Sequence, residues 1–279
     1  MTWSGSGATR SGTNSPPDPP TRAQALALAS AVIRSVGCTL LAPECVSCHH
    51  PLTTPAGGPV CPDCWGAIPF TDEPQCEVCG VTFPSWRSTG QRRRCGRCRG
   101  TNPAVAQLRA CGTYEHVLRT LIQQMKYEGF RSIASRLGGM ARERAGDLLD
   151  GVDAVVPVPL HPLKRLQRGF NQAEVIAGQL GVPVLGALRR RRWTPSQTRL
   201  AASGRQRNVD HAFALVRWSW RPVPVFVENR VLVLVDDVRT TGATLEACAR
   251  VLRAAGAAEV RALVVARAEL PRPHGPVGR

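Results

Sequence analysis

Two patterns in this chain hold residue types that do chemistry. The first is Val231-Leu-Val-Leu-Val-Asp-Asp-Val-Arg-Thr-Thr-Gly-Ala-Thr-Leu245. Its opening apolar run suits a buried parallel strand. Asp236 and Asp237 follow at once, then the small residues Thr240, Thr241, Gly242, Ala243 and Thr244. Leu245 to about Ala255 reads as a helix with Leu245, Cys248, Ala249 and Leu252 on one face. Free amides at the start of that helix, together with its dipole, favour an anion. Gly242 lets the backbone approach closely, and threonine hydroxyls donate to phosphate oxygens. The two carboxylates repel a phosphate but accept from sugar hydroxyls. Strand, acidic pair, small-residue loop and helix is the layout of a ribose-phosphate site. The plainer reading is a buried strand ending in a polar turn, with Thr241 or Thr244 as an ordinary helix cap.

The second pattern is four Cys-x-x-Cys knuckles: Cys45/Cys48, Cys61/Cys64, Cys76/Cys79 and Cys95/Cys98. Two thiolates on one tight turn present two corners of a tetrahedron, and a second knuckle completes it. The expectation is two structural Zn²⁺ ions. Sequential pairing, first with second and third with fourth, gives tandem ribbons; spacing alone leaves a cross-braced pairing open. All-thiolate sets leave no position for a water, which argues against a catalytic zinc. His49 and His50 read as surface residues beside a complete cysteine set. Arg92, Arg93, Arg94, Arg97 and Arg99 crowd the last knuckle. They suit either nucleic-acid phosphates or the negative charge of a tetrathiolate zinc. Trp65, Phe70, Phe83 and Trp86 are expected to fill small ribbon cores. Cys38, Cys111 and Cys248 read as buried free thiols.

The elements that must position these residues can be laid out along the chain. Residues 1–20 are Ser-, Gly-, Thr- and Pro-rich, and disorder is expected there. Thr21 caps an expected helix to about Leu41 in a segment 21–44, followed by a zinc module over 45–103. Asn102-Pro103 reads as the junction to an α/β domain over 104–270, and 271–279 as a loose tail. In that domain strands are expected at 108–114, 153–157, 213–216 and 261–265. Helices are expected at 117–125, 132–147 and 173–180. The loop after the strand at 153–157 carries Lys164, Arg165, Arg168, Gly169 and Asn171, and ligands sit beyond the carboxyl ends of such strands. A basic loop there is suited to closing over a pyrophosphate.

The formal charge is +16, which points toward polyanionic partners. Nearly all of it is arginine, and a GC-rich genome produces the same bias. Lys126 and Lys164 are the only lysines. An amine is kept where a planar fork does not fit, although chance accounts for either one alone. The first twenty residues lack the basic-then-apolar pattern of a secretory signal, and the apolar run at 23–33 is too short to span a bilayer. A cytoplasmic protein is expected, in which eleven cysteines serve metal rather than disulfides.

The stretch 231–245 resembles the phosphoribosyl-pyrophosphate signature of type I phosphoribosyltransferases. That resemblance implies ribose hydroxyls on Asp236 and Asp237 and the 5′-phosphate on Thr240–Thr244. With the four knuckles, Lys126-Tyr127-x-Gly129, Pro157-Val-Pro-Leu-His161, Arg168-Gly-Phe-Asn-Gln172, Gln197, Arg207-Asn208 with Ala212-Phe213, and Asp236-Asp237-Val-x-Thr-Thr-Gly-Ala-Thr244, the chain resembles the ComF family over about 38–267. The resemblance implies a double zinc-ribbon module on a type I phosphoribosyltransferase fold, an open, mainly parallel sheet flanked by helices. It also implies the handling of incoming single-stranded DNA in natural transformation, beside a helicase-like partner. Were the site catalytic, pyrophosphate would leave ribose C1 with Mg²⁺ neutralising it. Lys164, Arg165, Arg168 and Asn171 would form the pyrophosphate loop, and Asp236, Asp237, Arg168 and Lys164 the catalytic set. Three readings stay open: a protein that binds phosphoribosyl pyrophosphate or a nucleotide, an active phosphoribosyltransferase with an unassigned acceptor, and a single-stranded-DNA or partner-binding protein. Arg239 stands where such loops are usually neutral. Base specificity and oligomeric state have no sequence signal.

Overall fold

The computed structural model describes residues 43–52, 57–71, 74–83, 94–191, 212–216 and 224–268. The expected tails, the helix at 21–41, Cys38, Trp86, Arg92, Arg93, Gln197, Arg207 and Asn208 lie outside these. From Glu44 onward the chain forms one compact unit.

Its centre is a four-stranded parallel sheet in the order β1-β6-β5-β2. The strands are β1 (Gln107–Thr113), β2 (Ala154–Pro157), β5 (Val231–Arg239) and β6 (Glu259–Arg267). A short antiparallel pair, β3 (Leu188–Arg190) and β4 (Phe213–Leu215), stands apart from it. The helices are α1 (Pro62–Gly66), α2 (His116–Tyr127), α3 (Arg131–Ala145), α4 (Pro162–Arg168), α5 (Gln172–Ala177), α6 (Pro224–Val227) and α7 (Ala243–Ala254).

Both faces of the sheet are covered, so the strands read as continuous apolar runs rather than as alternation. On one face, Val233 and Val235 of β5 meet α2, α3 and α5 through Leu118, Leu121, Ile133 and Ile176. On the other, Leu232 and Leu234 meet α7 and the β3–β4 pair through Leu245, Cys248, Leu252 and Phe213. The stripe Leu118, Leu121, Ile122, Met125 on α2 is wholly buried, as its helical spacing requires. Cys111 and Cys248 are buried thiols, with the Cys111 thiol pushed up to about 12 by its burial.

The zinc module does more than sit beside this body. β1 is an edge strand, and an unpaired edge invites foreign strands. Here ribbon and linker residues cover it. The Leu108 N–H donates to Glu77 O at 2.6 Å, and the Thr71 N–H to Cys111 O at 2.9 Å. Gln75 grips Ala110 from both sides, Nε2 to its carbonyl at 2.9 Å and Oε1 from its N–H at 3.1 Å. Trp65 was expected to fill a ribbon core. Instead Cys45, Leu52, Val60, Trp65 and Ile68 join the α2–α3 core of the main domain, because a ribbon this small has no interior of its own. Arg136 lies 4.5 Å over the Trp65 ring. Phe83 does pack on the second cysteine set.

Candidate functional site

The chemistry gathers at the carboxyl end of β5. The strand was expected to stop at Val235, but it runs on through both acids to Arg239, paired to β6 as far as Arg267. Successive strand residues face opposite sides of a sheet, so the two carboxylates separate. Asp237 lies on the α2 side, where Lys126 Nζ sits 2.9 Å from its Oδ1. Asp236 lies on the α7 side, where the charges of Arg190 and Asp236 attract one another. The Asp237 N–H donates to Asp236 Oδ1 at 2.9 Å.

Each charge is shaped by this placement. Burial pushes the Asp236 carboxyl up to about 7, and neighbouring Asp237 adds to the rise; Lys126 and Arg190 oppose it. Burial disfavours the Lys126 ammonium, but Asp237 and Asp236 outweigh that and its pKa is raised. Burial lowers Lys164, helped by Arg190, Arg168 and Lys126. Lys126 and Arg190 thus act on the two acids, and Lys164 stands near enough to be repelled by both. Lys126 was singled out as a rare lysine and as part of the Lys126-Tyr127-x-Gly129 motif, but was given no role, and Arg190 was not placed in the site at all. The scarcity of lysine was one available signal, and it marked two residues close enough to repel one another.

The loop after β5 leaves helix amides open. Gly242 is the cap residue of α7, at φ 85° in the left-handed region, and it has no side chain with which to cap. Neither Thr241 nor Thr244 is that cap, although Thr241 Oγ1 accepts from the Ala243 N–H at 3.4 Å. Arg239 is half-buried. Its guanidinium folds back to Thr241 O at 3.4 Å and leaves too little room for a Cβ at Gly242, which would lie 3.0 Å from Arg239 Nε. Burial lowers the Arg239 pKa, while Cys79, Cys98 and Cys76 draw its charge toward the second cysteine set. A cavity of about 290 Å³ between that set and the loop is lined by Cys98, Asn102, Arg239, Gly242 and Arg250.

The expected basic loop after β2 is instead largely helical. His161 caps α4, Nδ1 accepting from the Leu163 N–H at 3.3 Å, and Gly169 ends it at φ 74°. Their spacing of four residues, just over one helical turn, puts Lys164 and Arg168 on one half-buried side. Arg165 is directed away to Glu174 at 2.7 Å. Asn171 was read as a ligand residue, but it is 2% exposed. Its Nδ2 donates to Val158 O at 3.1 Å and its Oδ1 accepts from the Ala173 N–H at 3.2 Å, so it ties the loop after β2 to the start of α5. Gln172 accepts from Arg168 at 3.2 Å.

The cysteines group sequentially. Ligand atoms of Cys45, Cys48, Cys61 and Cys64 lie within 4.8 Å of one another, as do those of Cys76, Cys79, Cys95 and Cys98. The cross-braced alternative is thereby removed. Cys48 Sγ to Cys61 Sγ and Cys79 Sγ to Cys95 Sγ are both 3.7 Å. That is far beyond a disulfide and close to the edge of a tetrahedron with Zn–S of about 2.3 Å. The Cys61 N–H donates to Cys45 Sγ and the Cys95 N–H to Cys76 Sγ, which suits thiolates. The Cys45 thiol is brought down to about 6: its burial is outweighed by the N–H groups of Cys61, Cys48 and Ser47. Both sets have the donor chemistry of structural zinc. His49 is exposed and 3.7 Å from Glu44.

Two known domain families match this chain in succession. Residues 38–99 match the double zinc ribbon domain and residues 166–274 the phosphoribosyl transferase domain. Competence protein F of Haemophilus influenzae is 30% identical over 235 residues, covering 81% of this chain and 97% of that protein. The chain belongs to the ComF family. Within it, the DNA utilization protein YhgH of Escherichia coli K12 is 33% identical over 235 residues, covering 80% of this chain and 96% of that protein. Competence protein ComFC of Streptococcus pneumoniae is 24% identical over 215 residues, covering 75% and 87%. No helix among the described residues is long and apolar enough to cross a membrane.

Proposed function

We propose that this ComF-family protein binds phosphoribosyl pyrophosphate, or the 5′-phosphate and ribose of a nucleotide, together with Mg²⁺, and that this site serves the handling of single-stranded DNA in the cytoplasm. The observation that carries the ligand is the adjacency of the Asp236–Asp237 pair to an uncapped helix start at Gly242. A phosphate on Thr240–Thr244 would receive the first amides of α7, whose dipole favours it. The ribose would then lie over the end of β5, its hydroxyls donating to Asp236 and Asp237. Lys164 and Arg168 flank the same opening and suit the diphosphate. Carboxylates are hard oxygen donors of the kind Mg²⁺ takes, and Asp236 and Asp237 would share it with the ligand's oxygens. Bound there, the metal would neutralise the diphosphate. The residues around it orient and balance charge, and no covalent nucleophile is required.

The DNA role draws support from the names of the relatives, which concern competence and DNA utilization, and from the +16 charge. A helicase-like competence partner fits the same role. The site test is calorimetry of phosphoribosyl pyrophosphate with and without Mg²⁺, on the intact protein and on Asp236→Ala/Asp237→Ala. Mg²⁺-dependent heat that vanishes in the variant is the expected result. Heat that persists in the variant, or none in either protein, would remove the acidic pair as the ligand site.

A further inference from the structure

The acidic pair is not an open carboxylate cluster. Lys126 Nζ is 2.9 Å from Asp237 Oδ1, and the two side chains are only 18% and 11% exposed. The lysine has little freedom to leave with its backbone, because Leu118, Leu121, Ile122 and Met125 fix α2 in the core at 0% exposure. Arg190 attracts Asp236 on the other side of the pair, and Lys164 is close enough to feel repulsion from Lys126. Two cationic side chains thus act on the two carboxylates, and Lys126 sits in direct contact with one. A bare divalent cation taking Asp237 is repelled by that ammonium and must displace it. A polyphosphate carrying the same cation arrives with negative charge and is attracted. The residue type fits this place, since an ammonium is a compact point charge suited to one carboxylate oxygen, where a guanidinium spreads over two. In a chain with 36 Lys and Arg residues, only this position and Lys164 use the amine.

We infer that Lys126 is the resident counter-ion of the acidic pair and excludes free divalent cations, so that metal enters only with a polyphosphate ligand. This rests on reading the pair as a ribose and metal site. Lys126 acts through Asp237 and is a positioning residue.

The test is Mn²⁺ titration of the full-length, zinc-loaded protein, followed by electron paramagnetic resonance of free Mn²⁺, without and with phosphoribosyl pyrophosphate. Without the ligand, the intact protein should leave Mn²⁺ free. Lys126→Met should create a Mn²⁺ site at least about tenfold tighter than any in the intact protein. Lys126→Arg should restore exclusion, and Lys126→Met/Asp237→Asn should lose the new site. Lys126→Gln, which keeps a hydrogen bond to Asp237, carries the same expectation as Lys126→Met should the latter not fold. The inference is overturned if the intact protein takes up Mn²⁺ alone at the pair. It is equally overturned if the folded Met or Gln variant stays within about twofold of the intact protein. The arms also separate the two ideas. Failure of the intact protein to bind phosphoribosyl pyrophosphate with Mn²⁺, alongside a gained site in Lys126→Met, sinks the ligand reading and leaves the counter-ion standing. Ligand binding with no gain in Lys126→Met does the reverse.

Discussion

Asp236 and Asp237 are neighbours in sequence and yet occupy different environments. The strand pleat sends Asp237 toward Lys126 and Asp236 toward Arg190 and Cys248. The pH consequence belongs to Asp236. Its carboxyl is raised from 3.8 to about 7, so the folded unliganded protein holds that proton more tightly than the unfolded chain does. Its contribution to stability is full below the unfolded value and is lost as pH rises through about 7. Asp236→Asn keeps a neutral group there at every pH. Its melting temperature relative to the intact protein should therefore rise between pH 5 and pH 8, and differential scanning calorimetry of the pair reads this while zinc effects cancel. A constant difference would mean that Asp236 is ionised throughout. Ligand affinity should run the opposite way in the intact protein, tightening as Asp236 ionises and accepts from a sugar hydroxyl.

At the scale of elements, the ribbon is structural to the sheet. Its residues hydrogen-bond the outer edge of β1, and its first half shares a core with α2 and α3. Removing zinc should therefore lower the stability of the whole unit rather than free a loose appendage. A single, earlier unfolding transition in the presence of a chelator, followed by far-UV circular dichroism, is the expected outcome; two separated transitions would contradict it. Gly112 tests the seam. A Cβ there would lie 2.8 Å from Pro69 O, which is backbone, and 2.8 Å from Leu118 Cδ2. Gly112→Ala should cost about 1–3 kcal/mol in urea unfolding. The α4 segment shows where sequence reading stopped short. Pro162 and Gly169 looked like loop residues, but proline at a first helical turn and glycine just past the end also bound a short helix. Seven residues with no buried side chain carry no apolar period to announce one.

For the molecule as a whole, arginine is too abundant for composition to locate a nucleic-acid surface. The structure narrows the choice among the described residues. Arg94 is spent on Thr101 O at 2.8 Å, Arg239 on the loop after β5 and Arg165 on Glu174, while Arg97 and Arg99 are exposed at the rim of the second ribbon. Single-stranded DNA should bind with an affinity that falls steeply with salt, by about 0.7 log units per log unit of salt for each phosphate contact. Arg97→Glu/Arg99→Glu should weaken binding and flatten that slope, as fluorescence anisotropy across a salt series would read. An unchanged slope would place the DNA surface elsewhere.

What the sequence determined by itself was local and periodic. The Cys-x-x-Cys turns, the apolar run of β5, the small-residue loop and the stripe of α2 each follow from short-range spacing, and they sufficed for the fold class and the zinc chemistry. Only tertiary structure decided which knuckles pair, that the ribbon closes the edge of β1, and that Asn171 holds a loop instead of facing the opening. It also decided that Lys126 and Arg190, from a helix and a strand distant in sequence, counter the two acids. Pairing across the chain depends on distances that no local period encodes, and the partner of a buried charge is chosen by the folded packing around it.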